Sequence, residues 1–149
     1  MTLTSTLDTA TSTRASAPEV LAPSTAAKWT ARVLAGLAVL LLTFDTALKV
    51  FQLAPAVESA AELGFPTSAF LWIGLFEVAC LALYLVPRTA PLGAILWTGF
   101  LGGAIATHVR LENPLFSHTL FPIYVAILLW LPLWLRDARV RSLLGSVKP

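Results

Sequence analysis

The sequence predicts an all-α integral membrane protein: an up-down four-helix transmembrane bundle with a short amphipathic helix between the first two spans. Three observations carry this prediction. The 149 residues are 57% hydrophobic and 12% charged, with a mean hydropathy of +0.80, whereas soluble domains carry about 25% charged residues. The apolar residues gather into four blocks of roughly the 20 residues a helix needs to cross a hydrocarbon core about 30 Å thick. Short links between later blocks then force antiparallel neighbours.

The elements follow in order. Residues 1–27, ending "ASAPEVLAPSTAA", are rich in Thr, Ser, Ala and Pro and have no helical apolar period, so a disordered cytoplasmic tail is expected. They lack the basic start and apolar core of a signal peptide. The membrane domain is expected over residues 28–144, with a C-terminal tail over 145–149. Its spans are read as Trp29–Leu53, Ser68–Val86, Ala90–His108 and His118–Leu135. Backbone amides find no water inside a bilayer, so each span must be helical.

Only "PRT", Pro87–Thr89, joins the second span to the third. The longer first link, "APAVESAAELGFP", reads as the amphipathic helix lying on the membrane face. Pro55 suits its first turn, Gly64 its end, and Pro66 stops continuation. Val57, Ala60 and Ala61 fall on one side of it, Glu58 and Glu62 on another.

Orientation comes from the cations. Arg14, Lys28, Arg32, Arg88, Arg136, Arg139, Arg141 and Lys148 lie on one side of the expected bundle, and only Lys49 and Arg110 on the other. Lys and Arg favour cytoplasmic loops, so both termini are expected in the cytoplasm, with the chain multi-pass in the cell (inner) membrane. Trp130 and Trp134 suit an interfacial belt at the inner end. The closing "LRDARVRSLLGSVKP" mixes Arg with Leu and Val and reads as an anionic-lipid contact.

Several functions are excluded. A net charge of +2 without a basic, aromatic-studded run argues against nucleic acid. A lone cysteine, Cys80, rules out an internal disulfide, a CxxC relay and a cysteine zinc cluster, and reads as a small core residue. No compact metal motif such as HxxxH occurs, so no metal site is expected. Haem, flavin and iron–sulfur spacings are missing too. Gly93, Gly99, Gly102 and Gly103 are expected to let membrane helices approach closely, Gly99 and Gly103 as a GxxxG face.

The informative residues are polar. At about 1.5 Å of rise per residue, Asp45 lies well along the first span, with Lys49 one turn on and placed to pair with it. Glu77 and Thr98 fall near the midplane, while His108, Arg110 and His118 gather at the outer end, with Tyr124 just below. A charge at bilayer depth costs a few kcal/mol, so these residues are expected to line one polar cavity open to the outer side. Besides a zinc site, which two histidines and two carboxylates could form but for which no compact motif exists, two readings stand for it. Asp45–Lys49 and Glu77–His108 hydrogen bonds fix helix register, worth about 1 kcal/mol each, or the cluster binds a ligand or relays protons, which histidines do near pH 6–7.

The stretches "TFDTALKVFQ", "ELGFP", "IGLFEVACLALYLVPRTAPLGAIL", "TGFLGGAIATHVRLENPLFSHTLFPIYV" and "WLRDARVRSLL" together resemble the DoxX-like family of small four-helix bacterial membrane proteins, from about Val33 to Leu144. The resemblance implies the same four-helix topology. Some relatives resemble subunits of membrane redox complexes, including thiosulfate–quinone oxidoreductases; cysteine-bearing relatives suit thiol chemistry, a pattern from which this chain departs.

The resemblance assigns no reaction. One reading is an accessory or quinone- or small-ligand-binding subunit of a membrane redox system, without stand-alone catalysis. Its cavity binds a quinone head group or passes protons while a membrane redox partner supplies electrons. In that reading His108 or His118 bonds the quinone carbonyls and Glu77 exchanges protons. A non-enzymatic assembly module, docking another membrane protein or a second copy as a homo-oligomer, is the alternative. A small transporter is the third reading, although no inverted repeat of broken helices is visible.

Overall fold

The computed structural model describes residues 24–145; most of the expected N-terminal tail and C-terminal tail lies outside them. The elements are α1 (Thr25–Val50), α2 (Ala54–Glu62), α3 (Thr67–Leu85), α4 (Ala90–Arg110), a π-helical turn (Leu115–Thr119), α5 (Phe121–Arg136) and α6 (Ala138–Gly145). Among the described residues, four helices are long and apolar enough to span a membrane, the fourth counting the π-helical turn with α5.

Local chemistry sets the boundaries. The Ser24 hydroxyl accepts from the Ala27 amide at 3.2 Å, an N-cap that starts α1 early. Thr25–Ala27, expected in the tail, are therefore helical, and Gly145, expected in the other tail, ends α6. Pro55, Pro91 and Pro122 stand in the first turns of α2, α4 and α5, where a missing amide hydrogen costs nothing. Gly64 follows α2 at φ +75°, a left-handed conformation that glycine adopts without strain. Inside α5, Pro132 has no N–H for the helical ladder, and the Tyr84 hydroxyl donates to the nearby Leu129 carbonyl at 3.0 Å.

The spans form a ring in which α1 packs on α3 and α5, and α4 packs on the same two helices. Helices α1 and α4 therefore stand diagonally. Ala38, Leu42, Cys80, Trp97 and Leu129 fill the core between them. Large apolar residues such as Leu40, Trp72, Ile95 and Ile127 cover the outside. Apolar surface on that scale belongs against acyl chains, and the molecule is a multi-pass membrane protein.

Close approach is local. A Cβ on Gly93 would stand 2.5 Å from the Tyr84 amide nitrogen, so α3 and α4 touch backbone to backbone there. One on Gly74 would stand 3.0 Å from Lys49 Cβ. Gly99, Gly102 and Gly103 behave otherwise, against expectation: they are exposed, and a Cβ on any of them meets nothing within 4 Å. The buried face of α4 runs through Gly93, Ala94, Trp97 and Leu101, and the other three glycines are out of phase with it.

Helix α2 covers one end of the bundle by seating Ala56 and Ala60 against Phe70 of α3. Its buried face thus differs from the expected one. Ala60 is shared, but Val57 is half-buried and Ala61 exposed, because the helix leans on its Ala56 side.

Candidate functional site

The polar residues divide between two places. The first is an ion cluster between α1 and α3. Lys49 Nζ lies 2.5 Å from Asp45 Oδ2 on its own helix and 2.5 Å from Glu77 Oε1 on α3. The Glu77 side chain is 0% exposed, Lys49 12% and Asp45 45%, so the cluster runs from the bundle interior towards its flank. The helical i,i+4 spacing supplies the first contact. The second depends on Gly74, which lets α1 come close enough for the short reach from Lys49 to Glu77. Phe100 of α4 closes the cluster on the core side, its ring 5.1 Å from Nζ.

Three buried polar atoms are left around this cluster. Thr46 Oγ1, Glu77 Oε2 and Trp97 Nε1 have no hydrogen-bond partner. The Glu77–His108 hydrogen bond anticipated from the sequence is not formed, because Lys49 takes the carboxylate.

The second place is the end of the bundle beneath α2. His108, in the last turn of α4, and His118, in the π-helical turn, face each other edge to face with ring centroids 5.6 Å apart. Asn113 Nδ2 donates to His108 Nδ1 at 2.9 Å, and the Ser117 hydroxyl lies 2.8 Å from His118 Nδ1. Each ring thus spends Nδ1 inside the chain and keeps Nε2 for another partner. The rings open on a cavity of about 280 Å³ with Ser59, Glu62 and Asn113 as further polar walls and Leu63 and Leu111 as apolar ones. Arg110 ties the roof down, donating to the Leu63 carbonyl at the end of α2 at 3.0 Å.

Two expected cavity residues lie in neither place. Thr98 follows buried Trp97 and so points outward, where it accepts from Trp130 Nε1 at 2.9 Å and donates to the Ala94 carbonyl at 2.8 Å. Tyr124 is half exposed, because it sits one residue off the face carrying Val125, Leu129 and Leu133. The single cavity expected from depth alone is therefore two sites, and these residues belong to the outer surface.

Among the described residues, no three His, Cys, Asp or Glu side chains gather closely enough to share a metal ion. Residues not singled out from the sequence complete both sites. Thr46 and Gly74 stand one helical turn from Lys49 and Glu77 respectively, a spacing visible in the sequence. Asn113 and Ser59 lie in connecting segments, where no periodicity marks them. At the far end of the bundle, Arg136 and Arg139 line an opening of about 330 Å³ with Asp137 and Pro87.

A family model described as the DoxX-like family matches residues 33–132, from the first turns of α1 to Pro132 in α5. No curated protein and no solved structure matches the chain significantly.

Proposed function

The chain belongs to the DoxX-like family, and from that premise we propose that it is an accessory subunit of a membrane redox system that binds a quinone-type head group in the cavity beneath α2. One observation carries the reading: two imidazoles stand edge to face in the wall of that cavity with both Nδ1 atoms engaged. Since Asn113 donates to His108 Nδ1, the neutral ring carries its proton on Nε2 and can donate to a carbonyl oxygen. A quinone offers two such oxygens on a flat apolar ring, which suits polar walls set between Leu63 and Leu111. The volume of about 280 Å³ lies just below the about 300–1,000 Å³ usual for ligand sites, which suits a head group alone with its tail left in lipid. Electrons would pass to or from a partner protein.

In this reading both termini face the cytoplasm of the cell membrane, since Arg32, Arg88, Arg136, Arg139 and Arg141 gather at the end opposite the cavity. The test is mass spectrometry of the full chain in native nanodiscs. A prenyl quinone is expected with the natural chain and lost from the His108→Ala/His118→Ala variant, whose helical signal stays unchanged. Equal binding by that variant, or no binding by the natural chain supplied with excess quinone, would overturn it.

A second reading, an assembly module, is favoured by Gly99, Gly102 and Gly103 standing together on the exposed side of α4. Small residues let helices of neighbouring membrane proteins approach closely. Crosslinking from cysteines placed at those positions would capture a partner helix; a strictly monomeric chain with no captured neighbour would sink this version.

A further inference from the structure

Three polar atoms in the middle of the bundle have no partner, and they come from three different helices: Thr46 Oγ1 from α1, Glu77 Oε2 from α3 and Trp97 Nε1 from α4. Their residues are 4%, 0% and 0% exposed. They also stand at one level. Gly74 packs on Lys49 and Val50, so in antiparallel α1 and α3 Glu77 comes opposite Thr46. Gly93 packs on Tyr84 and Cys80, which brings Trp97, one turn along α4, opposite the stretch from Glu77 to Cys80. Phe100 links the two sides, with its ring centroid 5.6 Å from that of Trp97 and 5.1 Å from Lys49 Nζ.

An unpaired polar group in a membrane interior is costly, so whatever lies between these atoms must suit all three. The indole N–H only donates, the carboxylate oxygen accepts, and the hydroxyl does either. A cation is opposed by the indole N–H and the Lys49 ammonium, and an anion by two carboxylates. Water accepts from the indole and donates to both oxygens, within the two to four partners a buried water takes.

The charges point the same way. Asp45, Lys49 and Glu77 sum to one negative charge when all three are ionised, and one added proton neutralises them. Among the described residues no other element compensates: α3 adds only Cys80 nearby, α4 presents Trp97 and Phe100, and α5 has no charged residue before Arg136. We propose that α1, α3 and α4 enclose a hydrated one-proton exchange site, in which water joins Thr46, Glu77 and Trp97 and the Asp45–Lys49 pair connects Glu77 to the flank of the bundle.

The transfer balances without an electron moving. A proton on half-exposed Asp45 passes to Lys49 Nζ as Nζ yields one of its own to Glu77 Oε1. The O–H bond on Asp45 breaks, one N–H forms while another breaks, an O–H forms on Glu77, and the ammonium is regenerated. The water then holds the far oxygen of the new acid. This site is separate from the histidine cavity and stands whether or not a quinone binds there.

The test uses the full chain in quinone-free nanodiscs. Water-edited solid-state NMR should transfer magnetisation to the Trp97 indole N–H as quickly as to that of exposed Trp29, beside Arg32 at the start of α1; a Trp97 signal that stays as dry as that of lipid-facing Trp72 overturns the proposal. Infrared titration of the same sample should show one protonated carboxyl band, lost in Glu77→Gln and moved to the frequency of an unbonded acid in Thr46→Val and Trp97→Phe. A band that survives Glu77→Gln, or ignores both other variants, also overturns it. The NMR arm needs no variant, so a failure of Trp97→Phe to fold leaves the proposal open to refutation.

Discussion

Lys49 and Gly74 face each other so closely that a methyl group on Gly74 would stand 3.0 Å from Lys49 Cβ and 3.1 Å from the Val50 amide nitrogen. The contact is what allows a lysine on α1 to reach a carboxylate buried on α3. Backbone cannot yield as a flexible side chain can, so added bulk at this position separates the helices. Gly74→Ala should destabilise the bundle by about 1–3 kcal/mol, the usual cost of overpacking, and Gly74→Leu by more. Gly36, with open space around it, is the control. Thermal unfolding in detergent should place Gly36→Ala with the natural chain and both Gly74 variants well below it.

The pairing of Lys49 with Glu77 leads to a second expectation. Removing one member of a buried ion pair leaves an uncompensated charge, which costs about 3–5 kcal/mol. Lys49→Met should therefore be severely destabilising, and adding Glu77→Gln should recover much of the loss because the stranded charge is gone. Asp45→Asn should cost less, since Asp45 is 45% exposed. Steric unfolding of the bundle in mixed detergents would give the four stabilities of the cycle; a double variant no better than Lys49→Met would show that the pair is not what holds these helices.

The glycines of α4 separate in the same way. At Gly93 a Cβ would meet backbone at 2.5 Å, a distance that no rotamer change relieves, so Gly93→Ala should sharply reduce the yield of folded protein. Gly99→Ala, Gly102→Ala and Gly103→Ala should leave the isolated bundle unchanged. Size-exclusion profiles and thermal melts of the four variants compare them directly, and loss of folding in any of the last three would contradict their exposed placement.

Much of this was legible in the sequence, for physical reasons that differ by residue. Span number and length follow from hydrocarbon thickness, so Thr25–Val50 and the other three spans lie within a few residues of the expected ones. The Asp45–Lys49 contact follows from helical spacing on one element. Depth along a helix was likewise readable, but rotation about its axis was not, because α3 and α4 are apolar all round and offer no stripe to show which face turns inward. Thr98 and the outward glycines were misplaced for that reason, and Tyr124 because it sits one residue off the buried face of α5. The approach of Lys49 to Glu77 depends on which helices neighbour in the ring, and Asn113 meets His108 through a loop whose path has no period. Loss of one expected cavity to two sites is thus an error of angle rather than of depth.

Arg110 supplies the remaining prediction. It stands at the end of α4, and its guanidinium donates to the Leu63 carbonyl just past α2, one of the few polar ties holding α2 over the histidine cavity. The apolar seat of α2 is small, with Ala56 and Ala60 set against Phe70, so that bond matters to how often the roof opens. A hydrogen bond from a charged donor contributes about 1.5–3 kcal/mol when sheltered, and exposure of Arg110 puts this one at or below the lower figure. Arg110→Gln should therefore raise amide hydrogen exchange several-fold across residues 54–65 while leaving α3 and α5 protected. Arg110→Lys should fall between, keeping the charge but losing the planar fork. Exchange mass spectrometry of the reconstituted chain resolves these segments. Unchanged exchange at 54–65 would mean that the alanine face alone holds α2, and acceleration spread over all four spans would mean that Arg110 supports the bundle rather than its roof.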